Sequence, residues 1–300
     1  MIKINYYHSL IFFNLCILLS GFEYLRNNDL IIISLFLILS LGISHGALDH
    51  VKGKKLLKLF NYNSITVFYF SYIFIGITII FIWLLFPKIL LLTFLVIAAF
   101  HFGKEDCEFI YNKTKLNIIY FFKGSLVITA PLLFHKTETL EIFNILNFEV
   151  SENILISNEF LYLFLLISLF AHIIISINKH IDVKSLLLMD FISILLINYF
   201  LNPILAFAIY FCFLHSIRHS ITLVFELDNK NFLNGAKIFF KKALPLTVIT
   251  AIIFVLSFYA INNYYSLNSS VLKVIFIGLA SLTFPHILLE YLIEKYEKRT

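Results

Sequence analysis

Ten histidines occur in this 300-residue chain, and six of them fall in four short segments. These are Ser44-His45-Gly46-Ala47-Leu48-Asp49-His50, Phe100-His101-Phe102-Gly103-Lys104-Glu105-Asp106, Leu214-His215-Ser216-Ile217-Arg218-His219 and Phe284-Pro285-His286. Neutral imidazole is a good ligand for iron, copper, zinc or nickel. His215 and His219 are four residues apart, so on a helix their rings share one face and suit a single metal. His45 and His101 would complete a four-nitrogen site that leaves positions open for a substrate such as dioxygen. Asp49 and Asp106 stand close enough in sequence to hold the other ring nitrogen of a ligand histidine and fix its orientation. His286 and His50 are further candidates, each with a plainer explanation: a kink contact beside Pro285, and a headgroup contact. His172 has no supporting neighbour. His8, His135 and His180 read as loop or interface residues. No Ser-His-Asp arrangement occurs, and no catalytic group beyond the metal ligands is expected.

Those histidines must be positioned by elements that live in lipid. The chain is 60% hydrophobic and 14% charged, with a mean hydropathy of +0.92. A soluble globule could not hide that much apolar surface. A spanning helix needs about 20 mostly apolar residues, which yields about ten spans: near 7–25, 30–48, 65–86, 88–102, 117–134, 159–177, 185–201, 203–225, 243–261 and 271–291. Only Pro87-Lys88 and Asn202-Pro203 divide two pairs of these, so eight or nine spans is the competing count. The expected fold is therefore all-α, a polytopic transmembrane bundle forming one integral membrane domain over 1–300. The polar stretch 135–158 reads as an external loop with an interfacial helix. The N-terminal apolar run lacks a small-x-small cleavage site and reads as a retained first helix. Cys16, Cys107 and Cys212 form no metal or disulfide pattern.

Charge placement tests the count. Lys52, Lys54, Lys55 and Lys58 follow the second span, Lys104, Lys113 and Lys115 the fourth, and Lys179 and Lys184 the sixth. Lys230, Lys237, Lys241 and Lys242 follow the eighth, and Lys295, Lys298 and Arg299 close the chain. The alternate connections are poor in Lys and Arg. By the positive-inside rule both termini and the loops after even-numbered spans are cytoplasmic. His45, His101, His215, His219 and His286 then all lie in the inner parts of even-numbered spans, at a similar depth. Ionisable groups at membrane depth face a protein interior where partners exist. The net charge of +5 is accounted for by this topology and points to no nucleic-acid partner.

His-Gly-Ala-Leu-Asp at 45–49, His-Phe-Gly-x-x-Asp at 101–106, Tyr-Phe-Cys-Phe-x-His-Ser-x-Arg-His at 210–219 and Phe-Ile-Gly-Leu-Ala-x-Leu-Thr-x-Pro-His at 276–286 resemble the Brp/Blh family of membrane β-carotene 15,15′-dioxygenases. The motifs occur in family order from the second span to the last. The resemblance implies an Fe(II) enzyme that uses O2 to cleave the central double bond of β-carotene into two retinal molecules. It implies iron ligands at His45, His101, His215 and His219, a multi-pass location in the cell inner membrane, and a functional link to a microbial rhodopsin. Two departures are an extra N-terminal span and His50 following Asp49, which could compete for the metal. Iron rests on the resemblance, since the residue types admit other first-row metals. The alternatives are a non-catalytic transporter or retinal-handling opsin partner, and a different His-ligated membrane metalloenzyme. A di-iron desaturase would need adjacent histidine pairs, which the chain lacks.

Overall fold

In hydrocarbon every backbone N–H and C=O must be satisfied internally, so isolated apolar runs of this length fold as helices. The computed structural model describes residues 1–300 except 23, 26–29, 63, 111–116, 149–156 and 298–300, together with the side chains of His45 and Glu297. The described residues form helices and turns without a strand. The helices are α1 (Ile2–Ser20), α2 (Ile31–Ser40), α3 (Asp49–Leu59), α4 (Ile65–Leu85), α5 (Pro87–Glu105), α6 (Asn117–Phe134) and α7 (Lys136–Ile145). They continue with α8 (Asn158–Ser176), α9 (Ile181–Phe200), α10 (Pro203–Ile209), α11 (Ile217–Leu227), α12 (Phe232–Ile261) and α13 (Leu267–Glu297). A 3-10 turn, Gly42–Leu48, joins α2 to α3, and a π-helical segment, Tyr210–Ser216, joins α10 to α11. Counted with those joints, 10 helices among the described residues are long and apolar enough to cross a membrane. The chain is a multi-pass membrane protein.

Both prolines at the disputed breaks begin helices. Pro87 and Pro203 occupy the first turns of α5 and α10, where the missing N–H would have had no helical partner. The Asn202 side chain accepts from the Leu205 N–H at 2.9 Å, capping α10. Within the polar stretch 135–158 a helix forms at α7, and residues 149–156 of that stretch lie outside the described residues. Two boundaries differ from the hydropathy reading for a physical reason. The first span begins at Ile2 rather than near residue 7, because its polar residues Asn5 and Ser9 are buried in the bundle. The ninth begins at Phe232, extended by about three turns that carry the exposed Lys237, Lys241 and Lys242.

The unit α10–π–α11 is central: 78% of its most apolar window is buried, against 11% for α4 and 6% for α12. The outer helices present Ile11, Phe70, Leu84 and Val255 outward, as lipid-facing surfaces do. A π segment opens the backbone ladder locally and is found mostly at functional sites. Here its Phe213 carbonyl accepts from His8 Nε2 of α1 at 2.7 Å. The widened segment is thus tied to the neighbouring helix.

Without a hydrophobic driving force inside the bilayer, helices associate through close packing of small residues. The tightest crossing is α5 on α6. A Cβ at Gly103 would sit 1.8 Å from the Tyr120 carbonyl oxygen, and one at Gly124 would sit 1.9 Å from that of Ala99. Only glycine lets these backbones touch. Gly103→Val or Gly124→Val is expected to force the helices apart, costing at least about 1–3 kcal/mol. The thermal midpoint of the detergent-purified protein should drop by several degrees; an unchanged midpoint would contradict the crossing.

A candidate metal centre

Four of the sequence-selected histidines gather in one buried cluster. His101 comes from α5, His215 from the π segment, His219 from α11 and His286 from α13, and each is at most 5% exposed. Ring centroids are 5.2 Å apart for His101–His215, 5.3 Å for His101–His286 and 5.8 Å for His219–His286. The backbone of His45 lies in the 3-10 turn, and its side chain is outside the described residues. That turn packs on the π segment: Ser216 Oγ donates to the Gly42 carbonyl at 3.0 Å, and a Cβ on Gly42 would meet the Phe211 ring at 2.6 Å.

Three of the four rings are matched to a carboxylate at Nδ1. His215 Nδ1 donates to Asp106 Oδ1 at 3.0 Å. His286 Nδ1 lies 2.9 Å from both oxygens of Asp49, and His219 Nδ1 lies 2.6 Å from Glu105 Oε2. In His215 and His286, where the Nδ1 proton is directed at a carboxylate, Nε2 carries the ring's lone pair. This is the arrangement by which proteins orient imidazole toward a metal and raise its basicity. The carboxylates are held in turn. Tyr72 donates to Asp49 Oδ2 and Tyr210 to Asp106 Oδ2, both at 2.8 Å, and Lys123 Nζ stands 3.7 Å from Asp106 Oδ2.

Beneath the rings lies a second buried network. Arg218 is fully buried and donates to both oxygens of Asp190, at 2.6 and 3.0 Å, and to the Asp106 carbonyl at 3.2 Å. Ser9 donates to Asp190 Oδ1 at 2.8 Å. Arg218 therefore balances an aspartate rather than reaching for headgroups. A charge buried this deeply persists only when paired and hydrogen-bonded.

On the side of the centre where α3 begins and α5, α11 and α13 end, carboxylates crowd together. Donor atoms of Glu105, Glu108 and His219 lie within 4.8 Å of one another, as do those of His219, His286 and Glu290. The Glu108 carboxyl is pushed up to about 8 by repulsion from Glu105, by burial and by Glu290. Lys52 is ion-paired with Glu290, and Lys104 with Glu294 at 2.7 Å. These pairs rim a cavity of about 1170 Å³ that reaches His101 and Glu105. Its remaining wall combines apolar residues, including Ile75, Ile79, Ile97, Phe100 and Phe284, with the charged Lys55, Glu108, Glu226 and Lys295.

The other singled-out residues stand apart. His50 Nδ1 lies 3.0 Å from the Ala47 carbonyl of its own turn. His172 Nδ1 lies 2.8 Å from the Ser168 carbonyl, its ring against Phe191. His8 is helical rather than in a loop. Sequence reasoning missed Glu105, Tyr72, Lys123 and Asp190. Lys123 and Asp190 were detectable as lone charges inside apolar spans. Glu105 follows His101 by four residues on the same helix. Nothing in the sequence marks Tyr72.

The donor set suits a first-row metal. Imidazoles bound through Nε2 at about 2.1 Å place their centroids about 4.6–5.6 Å apart for ligand angles of about 90–120°, and the His101–His215 pair falls in that range. Against known proteins, the family model for beta-carotene 15,15′-dioxygenase matches residues 36–294. A curated protein named beta-carotene 15,15′-dioxygenase, from uncultured marine bacterium 66A03, is 27% identical over 274 residues, covering 89% of this chain and 95% of its own. No solved structure matches the chain. The family match runs from α2 into α13 and so contains every histidine of the centre, and the chain belongs to the β-carotene 15,15′-dioxygenase family.

Proposed function

We propose that the chain is an Fe(II)-dependent dioxygenase of the cell inner membrane that cleaves the central 15,15′ double bond of β-carotene into two molecules of retinal. In this reading His45, His101, His215 and His219 hold the iron. The observation that carries it is the cluster of buried His101, His215 and His219 imidazoles, brought together from the fourth and eighth spans beside a membrane-depth cavity. When bound, iron supplies the one-electron chemistry that ground-state O2 needs to react with a closed-shell polyene. One C=C bond breaks and two C=O bonds form, with one oxygen atom from O2 in each aldehyde. The balance requires no external reductant.

The protein's own groups then have defined tasks. Asp106 keeps Nδ1 of His215 protonated, so that Nε2 is the donor nitrogen, and Glu105 Oε2 lies 2.6 Å from His219 Nδ1. Phe102 and Phe211 pack on the His215 ring at 4.8 and 5.8 Å and exclude water from reactive species. The apolar part of the cavity wall, from Ile75, Ile79, Ile97, Phe100 and Phe284, offers a hydrocarbon surface to pack against. Specificity for the central bond follows if the cavity seats a symmetric polyene with its midpoint beside His101. Retinal released into the bilayer would supply a retinal-binding membrane protein such as a microbial rhodopsin. The charge alternation supports cytoplasmic termini, which puts the charged rim of the cavity on the inner face.

Expression in β-carotene-producing bacteria should bleach the cells and yield retinal alone; full retention of carotene by folded, iron-loaded protein would overturn the substrate. His219→Ala is expected to reduce retinal formation to background and to lower bound iron. Asp106→Asn should keep the KM for β-carotene while lowering kcat and weakening metal affinity about 10–100-fold. An Asp106→Asn enzyme with wild-type kcat and iron content would remove that carboxylate from the orienting role.

A further inference from the structure

The four-histidine reading leaves His286 without a role, yet its surroundings match those of the proposed ligands. We propose that α13 supplies a further ligand to the same metal through His286 Nε2, positioned by Asp49. The inference rests on the metal-centre reading above and changes its composition.

Three observations carry it. The His286 ring is 3% exposed and stands between two proposed ligands, 5.3 Å from His101 and 5.8 Å from His219. The first separation lies inside, and the second just beyond, the range of about 4.6–5.6 Å expected for rings sharing one ion. Its Nδ1 is engaged by Asp49, which also accepts from Tyr72, so Nε2 is the coordinating nitrogen, as in His215. Finally, His101 of α5 and His219 of α11 both meet the His286 ring edge-on, at interplanar angles of 87°. A kink contact beside Pro285 would require none of these. Tyr72 also donates to the Leu282 carbonyl at 3.3 Å, four residues before His286. The phenol's single proton is thus shared, chiefly with the carboxylate and at longer range with the helix turn that carries the ring.

Glu290, one turn further along α13, has donor atoms within 4.8 Å of those of His219 and His286. Its ion pair with Lys52 assigns it to charge balance at the rim, so His286 is the ligand of this helix.

The test uses the full chain in detergent, comparing wild type, His286→Gln and Asp49→Asn by bound-iron content and by the ligand-field absorption of the Co(II)-loaded protein. The expectation is that His286→Gln binds Fe(II) at least 10-fold more weakly and shifts the Co(II) bands while remaining folded. Asp49→Asn should do so to a smaller degree, and Glu290→Gln should leave the bands in place. Unchanged affinity and unchanged bands in His286→Gln overturn the inference. Should that variant fail to fold, the same result in Asp49→Asn overturns it. A wild-type chain that binds neither Fe(II) nor Co(II) would instead refute the metal-centre reading itself, so the two failures are told apart.

Discussion

Asp106 ends α5 as a carboxylate buried at membrane depth, and such a group must be satisfied from every side. Its two oxygens receive the Tyr210 hydroxyl and His215 Nδ1, Lys123 faces it from α6, and its backbone carbonyl accepts from Arg218. Removing any one of these partners would leave a buried charge or dipole short of compensation, which is expensive in a low-dielectric interior. The consequence is architectural. α5, α6, the π segment and α11 cannot be displaced independently, because one carboxyl group has a claim on all of them. Arg218 extends the same constraint to α9 and α1 through Asp190 and Ser9.

The Gly103–Gly124 contact serves the same group from another direction. It lets α5 lie against α6 closely enough for Lys123 to reach Asp106, only three residues beyond Gly103. The His-Phe-Gly-x-x-Asp motif is therefore a packing motif as much as a chemical one. His101 and Asp106 face the centre, Phe102 packs on His215, and the glycine sets the distance to the next helix.

Much of this was legible in the sequence. Span number followed from hydropathy and was checked by the alternation of lysines, which a miscounted helix would have scrambled. The histidine motifs were legible because imidazole is costly in lipid and these stood at one depth. The carboxylate matches were only partly so. Asp106 lies on His215 and Asp49 on His286, so both aspartates contact histidines far away in sequence, as tertiary packing alone decides. Tyr72 and Lys123 act through the same long-range geometry. The π segment was invisible to periodicity, since residues 203–225 read as one continuous apolar helix. The starts of α1 and α12 were misplaced because hydropathy counts a residue's polarity and not the direction in which it faces.

The π segment carries a consequence of its own. Relative to an α-helix it holds surplus chain within a turn, and each helical residue turns the backbone by about 100°. Deleting one residue between Tyr210 and Ser216 would take up that surplus and return the stretch to α-helical winding, turning the side chains within it about the axis. Tyr210 and Phe211 would leave their present neighbours while His219 kept its own. The length of this stretch is therefore as much a part of the centre as any side chain in it. Substitutions along it can be absorbed one contact at a time, whereas a change of length by a single residue cannot.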